Sequence, residues 1–167
     1  NMSVVYVYNL LTKQEIAVTE SWYDSSSPVF STDGKYLIFT SARDFNPTYG
    51  QLEWNHTYNN MNGVYMAMLA QDTPSPLLPT DGPADAPKKD DKAAPASVKV
   101  DAEGIIGRII KLPMRPGFYR NFFCDGKKLY FGSGRDTKAF DFKTQKEETV
   151  AEGASFSITP GSKKALF

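Results

Sequence analysis

The sequence predicts an all-β fold of repeated four-stranded antiparallel sheets, and three features support this prediction. Aromatic residues make up 13% of the chain, and these residue types fit packed strands. The 12 glycines and 11 prolines interrupt the chain often, as the many turns of an all-β protein require. Two strand–turn–strand patterns each occur more than once, so the chain contains an internal structural repeat.

The first repeated unit is a pair of strands joined by an Asp-Gly turn. Residues 30–44 align with residues 122–136 without gaps, and nine positions are identical. Asp-Gly between two hydrophobic runs predicts a hairpin, because glycine adopts positive φ without steric cost. A third, shorter copy occupies residues 159–167. This unit is therefore predicted to form the inner hairpin of each sheet.

The second repeated unit, residues 8–18 and 140–150, has a polar turn between two strands and is predicted to form an outer hairpin. Inner and outer hairpins together make a four-stranded blade. Leu37 and Phe39 alternate with Ile38, so both faces of this strand are apolar and a neighbouring sheet should cover each face. Stacked blades of a β-propeller provide that covering.

The repeats also predict blade boundaries. The predicted parts are an outer half blade at 3–18, a full blade at 26–113, a second full blade at 117–151 and an inner half blade at 153–167. Asp125 and Gly161 are 36 positions apart, close to the ~40 residues of a four-stranded blade. Asp33 and Asp125 are 92 positions apart. The longer interval is assigned to two insertions, an aromatic-rich loop at 45–62 and a proline-rich, charged segment at 71–97.

Pairing is expected to resume at residues 104–112, after the second insertion. The chain is thus predicted to be a β-propeller fragment of about three blades' worth, two of them complete. A propeller ring needs roughly four to eight blades, so we expect the chain to be an excerpt of a longer protein. Its half blades leave open sheet edges, through which the fragment is expected to self-associate.

Composition argues against several functional classes. The 19 basic residues equal the 19 acidic ones, so no net charge favours nucleic acid. No apolar run approaches the ~20 residues that span a bilayer, so no membrane insertion is expected. Cys124 is the sole cysteine, which precludes an intramolecular disulfide or a cysteine metal cluster. No metal or cofactor is predicted.

No residue of the chain is predicted to be catalytic. His56 is the sole histidine, and no residues at metal-site spacing accompany it, which favours local packing over a catalytic or metal-binding role. Ser25, Ser26 and Ser27 have no nearby base and are interpreted as turn hydroxyls. Cys124 is interpreted as a small packing residue rather than a nucleophile.

Two features are candidate contacts for a peptide or protein partner. Arg43-Asp44 and its repeat Arg135-Asp136 are predicted to end the second strand of each full blade. Their repetition favours a structural pair, and the alternative is a peptide-binding role. The aromatic loop either forms a binding surface or covers its own small core. The candidate contact residues are Arg43, Asp44, Tyr49, Trp54, Asn55, His56 and Tyr58.

Residues 27–44 resemble the propeller repeat shared by TolB and the tricorn-type proteases. Two further stretches resemble the bacterial tricorn-protease homologues more specifically. The first runs from Phe45-Asn46-Pro47 through Glu53-Trp54-Asn55-His56 to Tyr65, and the second has Asp101, Gly104-Ile105, Arg108 and Leu112-Pro113 before Gly117.

The resemblance implies a propeller domain in a protease chain that also carries a PDZ-like domain and a serine peptidase domain. The family's catalytic serine and histidine lie in the peptidase part, and none maps onto this sequence. The chain is therefore expected to be non-catalytic and to guide or gate peptides or scaffold assembly. Its expected partners are peptides or the remainder of its own protease chain. The alternative is a TolB-like protein-interaction propeller without a protease. An extracytoplasmic location is implied, with a cytoplasmic one left open.

Overall fold

A computed structural model of the chain has almost all of its regular secondary structure in β-strands. It describes residues 2–44, 47–49, 56–58, 60–77, 98–158 and 165–166, with the backbone alone at 47–49 and 56–58. Fourteen strands and a single 3-10 helix occur in these residues. The predicted all-β class with four-stranded antiparallel sheets is confirmed.

The first hairpin pairs β1 (Tyr6–Tyr8) with β2 (Glu15–Ala17). Asn9 organises its turn, since its side-chain oxygen accepts hydrogen bonds from the backbone N–H groups of Leu11 and Thr12 at 2.9 and 3.0 Å. Short polar side chains stabilise turns in this way.

The first four-stranded sheet has the order β3-β4-β7-β8, and every neighbouring pair is antiparallel. Its strands are β3 (Ser25–Phe30), β4 (Tyr36–Ser41), β7 (Gly63–Met68) and β8 (Ile109–Lys111). The segment 45–62, expected to be a loop, contains a further short hairpin of β5 (Pro47–Tyr49) and β6 (His56–Tyr58).

The expected strand at 104–112 begins later than predicted. Residues Ile105–Arg108 form the 3-10 helix instead, and strand pairing starts at Ile109. Gly104 turns the backbone with a φ of 68°. Arg108 then anchors the segment, because its guanidinium donates hydrogen bonds to the carbonyls of Met68, Leu69, Asp101 and Glu103.

The second four-stranded sheet has the order β12-β11-β10-β9. Its strands are β9 (Arg120–Cys124), β10 (Lys128–Ser133), β11 (Asp136–Asp141) and β12 (Lys146–Ala151), and the last hairpin is β13 (Ser157–Ile158) with β14 (Ala165–Leu166). The β9–β10 turn contains Gly126 with a φ of 89°, which glycine tolerates better than other residues.

Two apolar clusters hold the sheets together, one on each face of the first sheet. Phe39 and Leu37 belong to the cluster shared with Val5 and Val18 around the first hairpin. The other cluster joins Ile38 of the first sheet to a set from the second sheet. That set includes Cys124, Leu129, Phe131, Phe140 and Phe142. The alternating apolar residues of β4 are therefore buried on both faces, as expected for a strand between stacked blades.

The innermost strands of the two large sheets meet at their Asp-Gly turns. Ser31 and Cys124 form a parallel bridge, and the Thr32 N–H donates to the Cys124 carbonyl at 3.0 Å. The Asp33 carboxylate lies 3.0 Å from the point where a Cβ of Gly126 would sit. The inner edges of neighbouring sheets thus converge.

Candidate interaction site

Arg43 follows β4 and lies within cation–π distance of two tyrosine rings. Its guanidinium carbon is 5.7 Å from the ring centre of Tyr23 and 5.4 Å from that of Tyr65. Its Nε donates a hydrogen bond to Ser41 Oγ at 3.2 Å, and Ser41 Oγ also accepts a bond from Ser25 Oγ at 3.0 Å. Cation–π contacts and this hydrogen bond hold the guanidinium in one orientation.

Asp44 follows this arginine in the chain and is only partly exposed. Its Oδ1 accepts hydrogen bonds from Lys111 Nζ at 2.5 Å and from the Tyr65 hydroxyl at 3.4 Å. Its side chain is 11% exposed, and its Oδ2 is buried with no hydrogen-bond partner among the described residues. Gly63 makes room for this oxygen, since a Cβ there would lie 2.4 Å from it. We call Tyr23, Ser41, Arg43, Asp44, Tyr65 and Lys111 the Arg43 cluster.

Electrostatics of the cluster keep the Tyr65 phenol protonated. Burial, followed by the neighbouring Asp44 carboxylate, raises the pKa of Tyr65 to about 12. A neutral phenol can donate a hydrogen bond to the Asp44 carboxylate, which is consistent with the contact between them.

The interpretation of Arg43 and Asp44 as a structural pair that bond to each other is wrong. Among the described residues, Asp44 forms its ion pair with Lys111 rather than with Arg43. The repeat differs again, because Arg135 lies exposed in the turn between β10 and β11 and Asp136 begins β11. Asp136 Oδ1 accepts a hydrogen bond from the Gly153 N–H at 2.9 Å. The same dipeptide therefore has different partners in the two sheets.

The remaining candidates belong to the aromatic insertion. Trp54 and Asn55 lie outside the described residues. Tyr49 and His56 are opposite each other in the β5–β6 register, and Tyr58 ends β6. The insertion leaves the first sheet directly after Asp44, so its base adjoins the Arg43 cluster.

The other polar residues considered above have ordinary structural surroundings. The interpretation of Ser25, Ser26 and Ser27 as turn hydroxyls is wrong, because all three lie in strand β3. The buried Ser25 hydroxyl donates a hydrogen bond to Ser41 Oγ. Cys124 is fully buried, and burial raises the pKa of its thiol to about 12. A protonated, buried thiol is a poor nucleophile. In the part of the chain that the structure describes, no cluster of potential metal ligands occurs, and no helix has the length and hydropathy of a transmembrane span.

Several residues of the site were not predicted from the sequence. Trp22 is 76% exposed and Phe118 is 71% exposed, and both lie in segments that join one sheet to the next. Lys111 is 67 positions from its partner Asp44. The aromatic pair Trp22-Tyr23 before a strand was a visible signal, whereas nothing local could link Lys111 to Asp44.

Comparison with known proteins identifies relatives of this chain by sequence. Putative tricorn protease homolog 2 of Streptomyces coelicolor is 31% identical over 109 residues, which is 62% of this chain and 9% of that protein. Tricorn protease homolog 1 of the same organism is 29% identical over 118 residues, 66% of this chain and 11% of that protein. The putative Tricorn-like protease C-terminal subunit of Sulfurisphaera tokodaii is 29% identical over 166 residues, 90% of this chain and 18% of that protein.

The fold has a counterpart among solved structures. A crystal structure of the tricorn protease superposes on 98% of this chain with a TM-score of 0.76 and 18% identity, and the chain covers 17% of it. This chain thus spans less than a fifth of the length of the relatives and the structure it matches. The family model described as the tricorn protease second beta propeller domain matches residues 1–167. The resemblance to a tricorn-type propeller is confirmed, because the chain belongs to the family of the tricorn protease second beta propeller domain.

Proposed function

We propose that the chain is a non-catalytic propeller segment of a tricorn-like serine protease. In this role it guides or gates peptide substrates, or scaffolds the assembly that handles them. The observation that carries the proposal is the family match, which extends over residues 1–167 and is specific to a propeller domain of the tricorn protease. Proteins named as tricorn proteases or their subunits share 29–31% identity with the chain.

The convergence of the inner strands supports a guiding role. Propeller blades surround a central channel, and the Ser31–Cys124 bridge brings the inner edges of neighbouring sheets together. These inner edges are the surfaces that a substrate in such a channel would meet. The aromatic insertion leaves the first sheet between its second and third strands, where it can contact a peptide entering or leaving.

The proposal is tested in the full-length parent protease. Trp54 and Tyr58 are replaced together by Ala, and turnover of a long peptide is compared with that of a short chromogenic substrate. Losing an interface aromatic commonly costs more than ~1 kcal/mol of binding, so long-peptide kcat/KM should fall at least about fivefold. Short-substrate turnover should stay unchanged, because the peptidase site is untouched.

The matched control is Leu11→Ala, which alters an exposed residue in the β1–β2 turn. It should change neither rate. Equal losses for long and short substrates would show that the variant damages the enzyme generally and would count against guiding. A parent chain without a peptidase domain would overturn the proposal and favour the stand-alone, TolB-like interaction propeller.

A further inference from the structure

The antiparallel sheets have two different ends. At one end of each four-stranded sheet lie the turn between its first and second strands and the turn between its third and fourth strands. We call this end the turn face. At the other end lie the connections from the second strand to the third and from one sheet to the next, which we call the connector face. The described connector-face segments are 18–24, 42–44, 60–62, 112–119, 134–135 and 152–156.

Backbone and side-chain hydrogen bonds join the connector-face segments into one continuous surface. The Ala42 N–H donates to the Asp24 carbonyl at 2.9 Å, which ties the first connection to the end of β4. The Gly117 N–H donates to the Asn62 carbonyl at 2.9 Å. Arg120 Nη2 donates to the Gly134 carbonyl at 2.6 Å, within the second sheet. The surface therefore extends across both full sheets.

The two faces carry different side chains. The cations in the described connector-face segments are arginines, namely Arg43, Arg115 and Arg135, and Lys111, which ends β8 at this face, is paired with Asp44. This face also exposes Trp22, Tyr23 and Phe118. The cations of the described turn-face segments are Lys13, Lys35, Lys99, Lys127 and Lys143, with Arg108 bonded to backbone carbonyls. Protein interfaces are enriched in Arg and aromatic residues and depleted of Lys, so the connector face has the composition of an interface.

Most carboxylates near this face already have partners. Asp44 is paired with Lys111, Asp24 accepts a hydrogen bond from the Ser3 N–H, and Asp136 accepts one from the Gly153 N–H. In the described connector-face segments, Glu20 and Glu152 are the other acids, and both are exposed. The Arg43 guanidinium is oriented by two rings and by Ser41 rather than by a carboxylate among the described residues. It is thus a preorganised positive group beside exposed aromatic surface.

We propose that the connector face binds peptide segments that carry side-chain carboxylates, with Arg43 as the anchoring cation and Trp22 and Tyr23 as the adjoining apolar surface. A guanidinium matches the geometry of a carboxylate and can bind it through two parallel hydrogen bonds. The proposal rests on the proposed peptide-handling function and assigns it a substrate class, acidic peptides. It also assigns the surface that receives them.

Two matched peptides test this on the 167-residue chain. Both are N-terminally fluorescein-labelled, C-terminally amidated octapeptides with one phenylalanine. One carries four glutamates and the other carries four glutamines at the same positions. Fluorescence anisotropy should give a Kd at least about tenfold lower for the glutamate peptide, since charge-assisted hydrogen bonds are roughly twice as strong as neutral ones. The preference should weaken as salt is raised.

Variants then locate the surface. Arg43→Gln should reduce the preference for glutamate to about threefold or less. Arg43→Lys keeps the charge but loses the planar fork and should give an intermediate value. Trp22→Ala, at an exposed position that tolerates change, should weaken the binding of both peptides to the same extent. Lys127→Gln on the turn face removes one charge without touching the connector face and should leave both affinities unchanged.

The proposal is overturned if the two peptides bind equally, if neither binds, or if Lys127→Gln lowers the preference as much as Arg43→Gln. Far-ultraviolet circular dichroism shows whether each variant is folded, and Trp22→Ala still decides the location if Arg43→Gln is unfolded. These outcomes do not affect the guiding role, which is decided by long-peptide turnover in the parent enzyme. Conversely, if long-peptide turnover contradicts the guiding role, a measured preference for the glutamate peptide remains valid.

Discussion

The repeated unit ends in the dipeptide Arg-Asp in both full sheets, but the two dipeptides have different surroundings. In the first sheet, Arg43-Asp44 contacts Tyr23, Tyr65 and Lys111. In the second, strand register places Lys138 where the first sheet has Tyr65, and Thr149 where it has Lys111. The second sheet therefore lacks both the ring beneath the arginine and the cation beside the aspartate. A repeated dipeptide gains a specific site only where the neighbouring strands supply its partners.

The cores of the two sheets, in contrast, are equivalent. Phe39 and Phe131 occupy the same repeat position, both are fully buried, and each packs in one of the two apolar clusters. Core positions depend on strand alternation and stacking, which the repeat preserves. Surface partners depend on single side chains from other strands, which the repeat does not preserve.

The largest expected effects test the equivalence of the cores. Phe39→Ala and Phe131→Ala should each lower the free energy of unfolding by about 3–5 kcal/mol, because each leaves a cavity in a packed cluster. Phe30→Ala is the control, since Phe30 is 44% exposed, and should cost less than about 1 kcal/mol. Urea unfolding followed by tyrosine and tryptophan fluorescence measures all three. A difference of more than about 2 kcal/mol between the two core variants would contradict equivalence.

A smaller effect is expected from Gly63→Ala, which probes the asymmetry of the Arg43 cluster. The new Cβ would lie 2.4 Å from Asp44 Oδ2, so the carboxylate must move and its contact with Lys111 weakens. Overpacking of this kind costs about 1–3 kcal/mol. Gly107→Ala is the control, because nothing lies within 4 Å of its Cβ position. Equal stabilities of the two variants in urea would show that Asp44 is not held as described.

The smallest effect concerns pH. The pKa of Tyr65 is raised from 10.0 to about 12, first by burial and then by Asp44. Because the folded-state pKa lies above the unfolded one, this stabilising contribution is complete below pH 10 and is lost as the pH rises toward 12. Asp44→Asn removes the second cause, so the phenol should titrate at a lower pH, as measured by phenolate absorbance.

The repeat offers a matched control for this titration. Asp136→Asn changes the residue equivalent to Asp44 in the second sheet, where no tyrosine occupies the Tyr65 position. It should leave the titration of Tyr65 unchanged. Identical curves for the wild type and Asp44→Asn would mean that burial alone sets this pKa.

Much of the fold followed from local chemistry. The Asp-Gly turn predicts its hairpin because glycine permits positive φ, and Gly34 and Gly126 have φ values of 68° and 89°. Alternating apolar residues in 36–41 predict a strand covered on both faces, and all six are buried. The short hairpin within 45–62 and the 3-10 helix at Ile105–Arg108 were not predicted. The helix depends on carbonyls of Met68 and Leu69, which lie far from Arg108 in the sequence.

By itself, the sequence of this protein determined the β-strand repeats, their turns and the propeller class, because period-two alternation and turn chemistry act over a few residues. Only the tertiary structure decided which side chains surround Arg43 and Asp44. Tyr65 lies 21 positions and Lys111 lies 67 positions from Asp44, and these distances are closed by strand pairing across β7. Electrostatic and cation–π contacts depend on separations of a few ångströms, which only the assembled sheet sets.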